Sequence, residues 1–238
     1  MNFSILGWID GISGSAVVIA GIFFGIFFFY QGNKKNAKLL KQLAFVSIFA
    51  GLMYLGVLLD FFSLLTTGIN FPNDTKQVPL LSYIWFPPVV TIAIYIVGQI
   101  EFPEKAKYLV LPYLVLGAIF YVLIFSFPHE SFYSSYYEAH VPRLIDYNIN
   151  LISPAGIFLA AMLLPVVISF GVGLLIKAFK TSGTIKKKFI LLAMGAFTYG
   201  IAGVFEGFTQ PGVGVILVRI LYLSSFWLMY YGLRPLES

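Results

Sequence analysis

Seven stretches of this chain run for about twenty residues with scarcely a charge, each parted from the next by a turn signal or a block of lysines. A helix needs about 20 apolar residues to cross a bilayer's hydrocarbon core. Within that core the backbone must satisfy its own hydrogen bonds, which helices and closed barrels alone achieve. The runs occupy residues 5–30, 42–67, 80–102, 107–127, 153–178, 188–208 and 212–232. They specify an all-α, polytopic membrane protein, with one seven-helix transmembrane domain over residues 1–238. Composition agrees: 11% of residues are charged, against about 25% in a soluble domain.

The net charge of +5 invites a nucleic-acid reading, but its lysines lie in short blocks between apolar runs. That is the pattern of membrane topology, so the bilayer is the expected partner and nucleic acid is not. The first run follows an uncharged start and lacks a small-residue cleavage site, which marks it as a span instead of a removed signal. Cysteine is absent, which excludes disulfides, thiolate metal sites and cysteine nucleophiles.

Orientation follows from counting bases by side. Lys34, Lys35, Lys38, Lys41, Lys105, Lys107, Lys177, Lys180, Lys186, Lys187, Lys188 and Arg234 fall on one side, and Lys76 and Arg143 on the other. The positive-inside rule then places the N-terminus outside and Ser238 in the cytoplasm of a cell-membrane protein. Most connections are short. The outer segment 128–152 is longer and rich in aromatics, and Phe132, Tyr133, Tyr136, Tyr137 and Tyr147 suit one face of a short interfacial helix. A faint repeat runs through the chain, in which spans 1–3 correspond to spans 5–7. Span 4 would then join two parallel triplets in a three-plus-one-plus-three arrangement.

Asp10, Asp60, Glu206 and Arg219 lie at membrane depth in the outer half. Charges there usually face a protein interior or a wet cavity, and these four form an ion-pair network or a site for a polar ligand. Arg219 is expected to pair with Glu206 or Asp60. Tyr83-Ile84-Trp85-Phe86-Pro87-Pro88 puts two prolines inside span 3. They remove backbone donors and bend the helix, with Tyr83, Trp85 and Phe86 beside the bend. Pro165 bends span 5, where Ser169 is placed to bond a loosened carbonyl. Gly21 and Gly25 are a small-xxx-small pair that allows close helix approach, within the bundle or in a homodimer. His129 and His140, with Glu130, Glu138 and Asp146 nearby, meet no recognised metal spacing, and no metal or cofactor is expected.

Seven helices with an outer N-terminus are similar to microbial rhodopsins, but span 7 carries Arg219 and no retinal-binding lysine. The repeat is similar to that of SWEET and PQ-loop carriers, yet the chain holds no Pro-Gln pair. The helix 6–7 end, Glu-Gly-Phe-Thr-Gln-Pro-Gly through Tyr-Tyr-Gly-Leu-Arg-Pro, resembles the seven-helix N-terminal sensory regions of prokaryotic histidine kinases. That resemblance implies a sensor and a cytoplasmic signalling partner. Two function classes therefore stand: a sensor-like or accessory module working through a separate partner or membrane complex, and a small carrier for a neutral or weakly polar solute. No nucleophile–base constellation argues for an enzyme. Polar residues confined to the outer half favour the sensor, since the inner half offers only Tyr54, Tyr199, Tyr95 and Gln99.

Overall fold

The computed structural model describes residues 5–135, 144–206 and 213–235. Tyr136, Tyr137, Glu138, His140, Arg143, residues 207–212 and Ser238 lie outside these residues. The elements are α1 (Ile5–Lys34), α2 (Lys38–Leu52), α3 (Leu55–Thr67), α4 (Gln77–Tyr83), α5 (Phe86–Glu101), α6 (Ala106–Ser126), α7 (Pro128–Ser131), β1 (Phe132–Ser135), β2 (Asp146–Ile149), α8 (Pro154–Ile168), a π-helical stretch (Ser169–Gly173), α9 (Leu174–Phe179), α10 (Gly183–Glu206) and α11 (Val213–Leu233).

Six helical segments are long and apolar enough to cross a membrane, with α4–α5 and α8–α9 each counting as one, and α2 with α3 forms a further pair bent by 44°. The protein is thus a helical multi-pass membrane protein. Its long elements follow chain order around a ring: α1 packs on α2, α2 on α5, α5 on α6, α6 on α8, α9 on α10, α10 on α11, and α11 back on α1. α6 is a full member of this ring, in contact with both α5 and α8. One end carries β1, β2 and the loop at 68–76, and is called here the hairpin end. The other carries the lysine-rich turns.

The breaks in the helices have local causes. The expected continuous second span is broken at Met53-Tyr54, between α2 and α3. Beyond that break Gly56 N–H donates to Ser82 Oγ at 3.1 Å, which satisfies a donor the helix no longer bonds itself. A Cβ at Gly56 would lie 2.1 Å from Val78 O, so the bend depends on a glycine that lets α4 approach. The third span begins at Gln77, earlier than expected, and breaks before Pro87-Pro88. The prolines fall in the first turn of α5, where missing N–H groups cost least, and Tyr121 donates its hydroxyl to Ile84 O at 2.7 Å. Such re-satisfaction is what a proline bend inside a span requires. In the fifth span the irregularity lies one turn beyond Pro165, as the π-helical stretch from Ser169. Ser153 caps α8 by accepting from Gly156 N–H at 3.1 Å, with Pro154 in the first turn, as the sequence indicates.

The outer segment departs from expectation. In place of an interfacial helix, Phe132–Ser135 and Asp146–Ile149 pair as antiparallel strands, Phe132 opposite Ile149 and Ser135 opposite Asp146. The cross-strand pair Phe132 and Ile149 turns inward while Tyr133 stays exposed. Gly21 and Gly25 serve packing within the chain. A Cβ at Gly21 would come 2.6 Å from Gly51 Cα, and one at Gly25 would come 2.2 Å from Ile48 Cγ1. Their face of α1 is covered by α2 and is not free for a second copy.

Candidate functional site

Toward the hairpin end the ring encloses a cavity of about 360 Å³, within the usual range of about 300–1,000 Å³ for small-molecule sites. α1, the α2–α3 bend, α4–α5, β2, α8, α10 and α11 all contribute to its wall. Much of that wall is apolar: Met53, Phe86, Val89, Val90, Leu163 and Phe226. Its polar side carries a group of tyrosines (Tyr54, Tyr83, Tyr147, Tyr199 and Tyr222) together with Asp10, Asp146, Glu206 and Arg219.

Arg219 is 5% exposed and pairs with Asp10, not with Glu206 or Asp60. Its Nη2 lies 2.6 Å from Asp10 Oδ1, Nη1 donates to Asp10 O at 2.8 Å, and Nη1 also donates to Ser13 Oγ. The guanidinium stands over the Tyr54 ring, 5.2 Å from its centroid, within reach of a cation–π attraction. One contact is missing: Arg219 Nε is buried without a hydrogen-bond partner among the described residues.

Glu206 closes α10 and accepts from the Tyr54 hydroxyl at 2.5 Å, while Tyr222 bonds the same carboxylate. Tyr222 meets Tyr54 edge-on at 6.0 Å and Tyr199 at 5.1 Å between centroids. These tyrosines were missed as site residues. Tyr54 and Tyr199 were assigned to the inner half, but the α2–α3 bend and the length of a tyrosine side chain bring the Tyr54 hydroxyl up to Glu206. Tyr95 and Gln99 do not line the cavity.

Asp60 has a different task. It is fully buried and accepts from Asn70 Nδ2 at 3.0 and 3.2 Å, Phe71 N–H at 2.8 Å and Ile145 N–H at 2.8 Å. It ties the loop after α3 to the start of β2, and so holds the hairpin over the bundle. Tyr83 does belong to the cavity. Its hydroxyl accepts from Ile149 N–H at 3.3 Å, while Ser82 and Tyr147 share a 2.6 Å hydrogen bond. Trp85 does not: it stacks on Phe49 at 5.7 Å and 13°, with its Nε1 buried and unpartnered among the described residues. Pro87 packs near Gly117, and neither Pro88 nor Pro165 lines the cavity.

Outside the spans, burial pushes the Asp146 carboxyl above its usual range, and nearby Asp10 adds to this while the Tyr147 amide opposes it. Burial also pushes the Tyr147 hydroxyl up. No group of three or more potential metal ligands occurs among the described residues. No protein-family model matches the sequence, and no curated protein is similar to it. The geometry of the cavity therefore carries the functional argument.

Proposed function

We propose that this chain is a seven-span, sensor-like module of the cell membrane. It binds a small molecule in the cavity and passes its occupancy to a separate partner at the lysine-rich end. The bent pair α2–α3 serves as the seventh span, and the distribution of lysines puts the hairpin end outside and the lysine end in the cytoplasm.

One observation carries this reading: the cavity's lining residues lie toward the hairpin end. The next layer toward the lysine end holds Phe28, Leu43, Ile94, Ala193 and Met229, all buried in the apolar core, and none of them lines the cavity. A solute crossing the bilayer would have to part that layer, while a ligand that only signals need not. α11 supplies the coupling. It carries Arg219, Tyr222 and Phe226 along the cavity and continues without a break to Leu233, so a shift at its outer half is felt at the cytoplasmic surface.

The test is solute counterflow in liposomes holding the purified protein, run on a panel of sugars, amino acids and amines beside thermal-shift measurements on the same compounds. The expected result is stabilisation by some compounds and exchange of none. Saturable exchange of a compound that also stabilises the protein would make this a small carrier of the three-plus-one-plus-three kind.

A further inference from the structure

Resting on the cavity as the module's binding site, we propose that it takes a primary ammonium compound with an apolar body and a neighbouring hydroxyl or carbonyl oxygen. The first ground is charge. Among the described residues, Asp10, Asp146 and Glu206 line the cavity with one base, Arg219. That base is already committed: its two terminal nitrogens are turned to Asp10 and Ser13 on α1. Among the described residues no lysine or arginine nitrogen is in ion-pair contact with Glu206, and its contacts are phenol hydroxyls. An ionised carboxylate out of water is costly without a positive partner. A ligand ammonium supplies one.

The second ground is the shape of the polar wall. Tyr54, Tyr199 and Tyr222 meet edge to face around Glu206, and Tyr83 and Tyr147 stand at 71° to one another nearby. The Tyr54 face is taken by Arg219, so the tyrosines offer an ammonium mainly hydroxyl oxygens beside the carboxylate, which accept its hydrogens. The third ground is independent of both. Arg219 Nε is a buried donor with no partner among the described residues, and leaving such a donor unmade is expensive. It calls for an acceptor on the ligand near Tyr54, whose ring lies 5.2 Å from the guanidinium and whose hydroxyl meets Glu206. The apolar wall formed by Phe86, Val89, Val90, Leu163 and Phe226 takes the remainder of the molecule. A carboxylate ligand fits less well, because Arg219 is already paired with Asp10 and two further acids, Asp146 and Glu206, face it.

The probes are three compounds of one shape and differing charge: 2-amino-1-phenylethanol, 1-phenyl-1,2-ethanediol and mandelate. Calorimetry and thermal shift are run on the purified full chain and on Glu206→Gln, which keeps an oxygen to accept from Tyr54. The amino alcohol is expected to bind the parent at least about tenfold more tightly than the diol or mandelate, and to lose about tenfold or more in Glu206→Gln. Equal or tighter binding of the diol or mandelate would overturn the proposal. So would unchanged binding to Glu206→Gln, or no binding of the amino alcohol at millimolar concentration. Counterflow of labelled amino alcohol separates this proposal from the sensor reading. Transmembrane exchange would end the sensor reading and leave the ammonium preference standing, while absence of binding would end the preference and leave the blind cavity as it is.

Discussion

Arg219→Ala is expected to lower the stability of the detergent-solubilised protein by about 3–5 kcal/mol, because it leaves Asp10 buried without its cation. The two side chains are 6% and 13% exposed and 2.6 Å apart, so neither regains much water when the other is removed. Asp10→Ala should be damaging in the same way, since it strands the guanidinium beside Ser13 and Tyr54. The double variant should be clearly less destabilised than the sum of the two, which is the signature of a coupled pair. Thermal unfolding of the four proteins completes the cycle. Additive losses would mean that each group is held by water or lipid headgroups and that the pair contributes nothing of its own.

Asp60→Ala is the second large effect. It removes an acceptor shared by Asn70 Nδ2, Phe71 N–H and Ile145 N–H, and the buried Ile145 donor left unsatisfied alone costs about 1–3 kcal/mol. The damage should be local as well as global. Hydrogen exchange is expected to quicken at residues 69–73 and 144–149, while α6 and α9 keep their protection. Uniform loss of protection throughout the bundle would show that Asp60 supports the core and not the hairpin.

These two residues also mark how far the sequence could be read. The membrane class and the helical runs were legible because a run of some twenty apolar residues has few structural solutions. That charges within apolar runs gather at a cavity was legible for Asp10, Glu206 and Arg219, which line it. Their pairing was not. Asp10, Asp60 and Glu206 all lie on the hairpin-end parts of their helices, and the rotation of each helix about its axis decides which of them meets Arg219. That rotation is set by contacts such as Gly21 on Gly51, which a single sequence does not state. The break at Met53-Tyr54 was equally hidden, because no proline marks it and its support comes from Ser82 on another element. Pro87-Pro88 did announce a break between α4 and α5, and the loosened carbonyl at Ile84 found Tyr121. The strands were missed because four residues of alternation are too few to distinguish from an aromatic helical face.

The proposed sensor reading requires a cavity open to one side of the membrane only. Because the chain contains no cysteine, single cysteines can report this without further change to the background. Met53→Cys and Val89→Cys line the cavity, whereas Ala193→Cys lies in the packed layer beyond it. A membrane-impermeant maleimide would be applied separately to right-side-out and inverted vesicles. The account predicts labelling of Met53→Cys and Val89→Cys from the hairpin face alone, and no labelling of Ala193→Cys from either face. Labelling of Met53→Cys from the lysine-rich face, or of Ala193→Cys from any side, would contradict it.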